Sequence, residues 1–490
     1  MRQTARRVVE RNGRIEPSAD RGAGASAGAP ATGLSAELFT IPLASDRYLV
    51  YAPLRRAAFI ANAALVDRLA DIAEAGARQE SSAGDELLAL LRRLRIIDAA
   101  AENPPICSLR GDPQPTFVSL LLTTACNLRC SYCYASAGET PVRHMSLEVA
   151  QRGIDFVSAN AKRLGLEAFE VAFHGGGEPT MNWPTLVGAS RYAKARAREL
   201  DLQVRITAAS NGMLSDRQID WLIGHLDGIS LSFDGLPSAQ NAHRPTIRGG
   251  ESSARVEHSL SRFDRAGFHY GLRMTLTHDQ IASLPAAIAY VCSNYMPQRI
   301  QVEPAYPMGR WRDAPAAETV AFIDAFREAR AIAKSFDQTL YYSAARLEVL
   351  SNHFCAVSQD GFSLTHDGQV TACYEVFDRE RPHAELFFYG RAADREDSFE
   401  FDREALERLR QTSVEHKPFC GGCFAKWHCA GDCHHRSLCG TGDIGFRGSE
   451  RCHITRELIK DLILERIHAA GGLLWHEPIV DGFAEPPGGE

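Results

Sequence analysis

Apolar and polar residues along this chain follow two different periods, and the change between them divides it. Residues 38–51 alternate as two short strands about the turn Ala44-Ser45-Asp46-Arg47, with Tyr48-Leu49-Val50-Tyr51 returning. Helical spacing follows: Leu65, Leu69, Ile72 and Ala73 mark one helix over 61–75, and 86–94 reads as another. A hairpin followed by short helices predicts a small winged-helix-like unit over residues 36–105. From Thr116 the pattern becomes strand, helix, strand. Strands are expected at 117–122, 169–173, 204–208, 228–233, 271–276 and 299–302. Helices are expected from the N-cap Ser146 and over 185–200, 216–226, 254–267 and 316–333. Six such units in series call for an α/β fold with parallel strands joined by right-handed crossovers.

The ends read differently. Residues 1–35 are rich in Ala, Gly, Ser and Arg without periodicity, a disordered composition. Residues 454–467 form an amphipathic helical pattern, and 469–490 read as a loose tail. With 490 residues, 45% apolar and 23% charged, the chain is an ordinary globular protein of two to four domains. Its net charge of −7 argues against a nucleic-acid partner. No apolar run approaches the roughly 20 residues that span a bilayer, and no apolar core follows the basic start. A cytoplasmic, reducing location is expected, where thirteen cysteines serve metal binding rather than disulfides.

Ten of those cysteines fall into two spaced sets. Cys126, Cys130 and Cys133 lie on one loop as C-x3-C-x2-C, a spacing that can hold three irons of a 4Fe–4S cube and leave the fourth open. Cys355, Cys373, Cys420, Cys423, Cys429, Cys433 and Cys452 form the second set. A structural zinc site is the competing reading of either. Strand ends carry the remaining polar candidates, as expected for sites at the C-terminal ends of parallel strands. Gly175, Gly176 and Gly177 let backbone approach a ligand, and Glu178 supplies an acceptor for an ammonium group. Ser210, Ser232 and Asp234 close the next strands, Asp234-Gly235 reading equally as a turn. Arg273 suits a carboxylate partner or a structural salt bridge.

In these residues the chain resembles the radical S-adenosylmethionine (radical SAM) superfamily, and its C-terminal cysteines resemble that family's SPASM extension. The resemblance covers roughly residues 115–465 and includes Tyr132 before the last loop cysteine. It implies a partial (β/α)6 TIM-type barrel over 112–340 and a SPASM cluster domain over 350–468. It implies a 4Fe–4S cluster that binds SAM, with Gly175–Glu178 as the motif holding the methionyl amine. Ser210, Ser232, Asp234 and Arg273 would contact its ribose and carboxylate. Two auxiliary 4Fe–4S clusters would take Cys420, Cys423, Cys429 and Cys452, and Cys355, Cys373 and Cys433. Asp360, Cys439 or a substrate could complete the second of these, or it could stay open. Cys107 and Cys292 fall outside both patterns, and His434 and His435 read as cluster-tuning or surface residues.

Related enzymes cleave SAM reductively to a 5′-deoxyadenosyl radical, and most SPASM relatives oxidise peptides. In sulfatase maturases a carboxylate directly follows the second array cysteine; here Tyr374 stands there and Glu375 comes next. Tyr374, Glu375 and the inward Glu303 are therefore the catalytic candidates. The expected function is a peptide maturase that makes a thioether or carbon–carbon crosslink. Its partners would be a precursor peptide, recognised by residues 36–105, and a flavodoxin- or ferredoxin-type reductant. The rivals are a sulfatase-maturase-like enzyme, a small-molecule enzyme acting on a sugar alcohol, and a sensor without turnover. On those readings the N-terminal unit is a structural cap.

Overall fold

The computed structural model describes residues 35–477, apart from 36, 76–85, 101, 140, 314–317, 394–397 and 443–447. The expected disorder of residues 1–35 and the far end of the tail lie outside the described residues, Ser35 excepted. Among the described residues no helix is long and apolar enough to cross a membrane.

Strands β1 (Phe39–Pro42), β2 (Tyr48–Ala52) and β3 (Ala57–Ala61) form an antiparallel meander. The sequence pattern shows the first two; β3, Ala-Ala-Phe-Ile-Ala, lacks alternation because both its faces are covered. On one face helices Ala63–Ala75 and Glu86–Arg93 bury Val50, Phe59, Leu69 and Leu91. On the other, Leu49, Tyr51 and Ala58 pack on Ala425, Ile459, Ile463 and Trp475 from the C-terminal region.

The central sheet holds β4 (Phe117–Leu121), β5 (Ala168–His174), β6 (Gln203–Ser210), β7 (Gly228–Ser232), β8 (Tyr270–Leu276), β9 (Ile300–Pro304) and β10 (Leu340–Tyr341), all parallel. Six of these are the expected strands. Sequence capping sets the helices between them: Ser146 accepts from Val149 N, and Ser215 with Gln218 makes a capping box. The sheet does not close. Beyond β4 it continues through β11 (Ser363–Leu364), β12 (Gln369–Thr371), β13 (Phe388–Ala392) and β14 (Phe399–Phe401). This is the expected open, partial α/β barrel, extended on one edge by the C-terminal region.

The tail differs from expectation. β15 (Leu474–His476) pairs antiparallel with β3 and completes the N-terminal sheet, so strands from the first and last described segments share one sheet. Helix Glu450–Ala469 leads there and is ion-paired to helix Thr319–Ser335 through Arg327 with Asp461 and Glu457 and through Arg330 with Glu465.

Candidate functional site

All parallel strands end on the same side, so the polar motifs meet there. The first cysteine loop leaves β4 and is held by bridges Thr123–His144 and Leu128–Thr246. Burial pushes the Cys126 thiol up to about 12 and the Cys130 thiol up to about 11, the latter offset in part by Arg244 and Arg310. Such thiols stay protonated without a cation, whereas a metal makes them thiolates. None of the thirteen cysteines is in a disulfide.

The glycine-rich turn after β5 lies directly beneath this loop. A Cβ on Gly177 would sit 2.1 Å from the Ala125 carbonyl oxygen, so no other residue fits. Gly177 N donates to Thr123 O at 3.0 Å and Glu178 N to Ala125 O at 2.8 Å. The Glu178 carboxylate is buried. Its Oε1 accepts from Thr180 N, Thr180 Oγ1 and Ser210 Oγ, and Oε2 from Asn211 N at 2.7 Å. Asn211 Nδ2 donates to Asn127 Oδ1 and reaches Cys126 Sγ at 3.7 Å. The structure therefore brings Glu178, Ser210 and Cys126 into one network. Asn211 is its unforeseen member, signalled only by its place at the end of β6.

Asp234 departs from the expected ligand contact. Its side chain is fully buried, taking Tyr132 Oη, Arg244 Nε at 3.1 Å and Thr275 N at 3.3 Å. The buried Arg244 guanidinium lies 5.1 Å over the Tyr132 ring and needs this counter-charge. Asp234 thus braces the cysteine loop from below. Ser232 pairs in register with Arg273, whose side chain is 28% exposed and whose guanidinium lies 4.0 Å from the Glu375 carboxylate.

Above the strand ends, the His174 ring lies 4.3 Å from the Tyr374 ring. Burial and then Arg273 hold His174 down to about 4, and its Nδ1 accepts from Gly175 N, which places the proton on Nε2. Burial raises the Tyr374 hydroxyl to about 12. Tyr134 donates to Gly175 O at 2.8 Å beside them. The two candidate glutamates are engaged by the C-terminal segment. Glu303 accepts from Arg436 at 2.9 Å, Arg451 at 3.2 Å and Ser343 N at 3.0 Å. Glu375 meets His435 at 3.0 Å and Arg436 at 3.6 Å. Burial opposes ionisation of both, yet these cations hold both carboxyls below the usual range.

The second cysteine set falls into the two groups that the family resemblance implies. Cys420, Cys423 and Cys452 lie within electrostatic reach of Cys429, and Cys433 and Cys355 within that of Cys373. Among the described residues no three His, Cys, Asp or Glu side chains converge as around a single ion; cluster thiolates bind separate irons. Asp360 is not a free ligand: Arg410 holds both its oxygens, at 2.8 and 2.6 Å. Cys439 is exposed and lies beside His435, which is itself buried.

Residues 120–285 match the Radical SAM superfamily. The GTP 3′,8-cyclase of Chlorobaculum tepidum is 32% identical over 121 residues, 24% of this chain and 33% of that protein. The serine-type anaerobic sulfatase-maturating enzyme of Klebsiella aerogenes is 26% identical over 202 residues, 40% of this chain and 48% of that protein. The chain thus spans a third to about half the length of these curated relatives. Native anSMEcpe with bound AdoMet superposes with a TM-score of 0.59 at 16% identity, covering 72% of this chain and 99% of that one. The loop after β4, the glycine turn after β5 and the parallel sheet that carries them belong together: this chain carries a radical SAM domain.

Proposed function

We propose that the chain is a radical SAM enzyme that oxidatively modifies a ribosomally made peptide, forming a thioether or carbon–carbon crosslink. The observation that carries the chemistry is the contact of Gly177 with Ala125, which seats the glycine turn against the Cys126, Cys130 and Cys133 loop at the strand ends. The donor set fits the family's cofactors: three half-buried thiols on one loop, a close-approach glycine, and a buried carboxylate whose Oε2 has one protein donor. A 4Fe–4S cluster with SAM supplies one-electron cleavage of the sulfonium, and with it a 5′-deoxyadenosyl radical able to take hydrogen from an unactivated C–H bond.

The protein's own residues bind and orient. Gly175, Gly176, Gly177 and Glu178 would hold the amino group, with Ser210 fixing Glu178. Ser232 and Arg273 remain for the ribose and carboxylate. Tyr374, against the neutral His174, is the candidate for proton or electron handling near substrate. Glu303 and Glu375 serve as compensated charges that dock the C-terminal segment. Each crosslink removes two hydrogens from the peptide, one to the 5′-carbon and one as a proton and an electron. The seven C-terminal cysteines would hold two auxiliary clusters, which would supply one-electron acceptor chemistry, and a flavodoxin- or ferredoxin-type reductant would be the partner.

Peptide recognition is assigned to the N-terminal sheet, which packs on the segment carrying Cys423 and Cys429 rather than standing apart. The test is mass spectrometry of a peptide encoded beside this chain, after anaerobic turnover with SAM and a reductant. Loss of two hydrogens without an aldehyde supports crosslinking. A second reading, dehydrogenation of a protein side chain, is favoured by the sulfatase-maturating relatives. An aldehyde trapped by a hydrazine would select it.

A further inference from the structure

The end of β9 and the segment that follows it join the two cysteine-bearing regions. At its start, Glu303 is bound by Arg436 and Arg451, and Tyr306 is bound by Arg451. At its end, Gly309 has φ +54, and a Cβ there would lie 2.3 Å from the Cys133 carbonyl oxygen. Arg310 follows immediately. Its backbone N–H donates to Cys133 O at 3.0 Å, Nη1 donates to Cys130 O, and Nη2 donates to Ala137 O at 2.9 Å. Its Nε meets the half-exposed Glu139 at 2.6 Å. That surface pair alone would contribute little, being solvated and screened. The carbonyl contacts are different in kind, because two of the three are on cysteine residues.

We propose that Arg310 is a positioning residue for the first cysteine loop. One guanidinium fork and one N–H fix three of the loop's carbonyls, so the strand anchored on the C-terminal cysteine segment sets that loop's geometry. The fork matters because a planar guanidinium can span two carbonyls, whereas an ammonium offers a point charge. The charge matters because a cation beside a cluster favours the added electron. Arg381 makes a parallel clamp on the carbonyls of Tyr134 and Ala135. The proposal rests on the iron–sulfur reading above.

The test uses the full chain, anaerobically reconstituted, with EPR and redox titration of the cluster whose signal responds to SAM. Arg310→Gln is expected to alter the g values and to disfavour reduction about tenfold, about 59 mV for one electron. Arg310→Lys keeps the charge and loses the fork, so it should alter the g values with a smaller potential shift. Arg391→Gln removes an exposed arginine paired with Glu400 and calibrates the loss of any surface cation; the Arg310 effect must exceed it. Wild-type g values and potential in both Arg310 variants would overturn the proposal while leaving the site reading intact. If Arg310→Gln retains no iron, the Arg310→Lys g values decide, shifted in support and unshifted against. A wild-type protein that takes up no SAM-responsive cluster would overturn the site reading as well.

Discussion

Tyr51 and His428 meet across 2.5 Å, joining the N-terminal sheet to the short helix Lys426–Cys429. His428 Nδ1 lies 2.9 Å from the Val349 carbonyl and must donate to it, so Nε2 is the acceptor and the Tyr51 hydroxyl the donor. Both side chains are buried. Nearby, Trp427 Nε1 donates to Glu37, and Lys426 lies 3.7 Å from the same carboxylate. The N-terminal unit is thus built onto the second cysteine set.

Tyr51→Phe should lower stability by about 1–3 kcal/mol, because it leaves a buried acceptor unpaired. Residues 36–105 produced alone lack β15 and expose Leu49, Tyr51 and Ala58, so they should not fold to the native sheet. Thermal unfolding of the variant and circular dichroism of the fragment check both. A fragment with native-like cooperative unfolding would contradict the shared-sheet account.

Replacing Cys126, Cys130 and Cys133 together with Ala should remove one 4Fe–4S cluster from reconstituted protein and abolish SAM cleavage. Iron analysis and chromatographic assay of 5′-deoxyadenosine measure the two effects. Continued formation of 5′-deoxyadenosine would refute the assignment of this loop.

Glu178→Ala should weaken SAM binding by one to two decades, since charge-assisted hydrogen bonds contribute roughly 1.5–3 kcal/mol each. The structure adds a second consequence. Ser210 and Asn211 N lose their acceptor, so a stability loss of about 1–3 kcal/mol accompanies it. Glu178→Gln retains shape and part of the hydrogen bonding, and should recover stability more than affinity. Calorimetric titration with SAM, set beside melting temperatures, separates the two; unchanged affinity in both variants would make Glu178 structural only.

His174 gives a pH prediction. Its folded pKa is depressed to about 4 by burial and Arg273, below the unfolded value near 6.5. Between those values the unfolded chain binds the extra proton, so stability is intact above about pH 6.5 and falls as pH drops towards 4. His174→Gln should flatten part of that slope, by at most about 3 kcal/mol over the whole window. His428, also near 4, and His434, near 3, titrate through the same window and keep a slope of their own, as do His353 and His366, which burial also lowers. Denaturant unfolding at pH 7, 5.5 and 4.5 measures it, and identical slopes in both proteins would remove His174 from the account.

Local pattern was enough for much of this molecule. The six long parallel strands, five of the helices between and after them, the cap at Ser146 and the cysteine loop were legible in the sequence, because periodicity, capping and loop spacing are written within a few residues; helix Leu284–Asn294, apolar on nearly every side, was not among those expected. The division of the seven later cysteines into two sets came from the family resemblance, because spacing alone leaves their pairing open. The partners were not legible. Asp234 reads as a strand-end ligand, yet it faces Tyr132 and Arg244 because the cation ten residues on is buried against it. Asp360 reads as a free ligand until Arg410 closes on it. Glu303 and Glu375 read as catalytic carboxylates and prove to be neutralised by Arg436 and Arg451, which lie more than sixty residues further along the chain. β15 reads as tail because three residues carry no period, and only the open edge of β3 makes them a strand. The sequence by itself determined which elements form and which residues could bear the chemistry. Which of those residues face each other was decided by tertiary packing, because a buried charge or unpaired strand edge takes whatever partner the fold brings to it, at any distance along the chain.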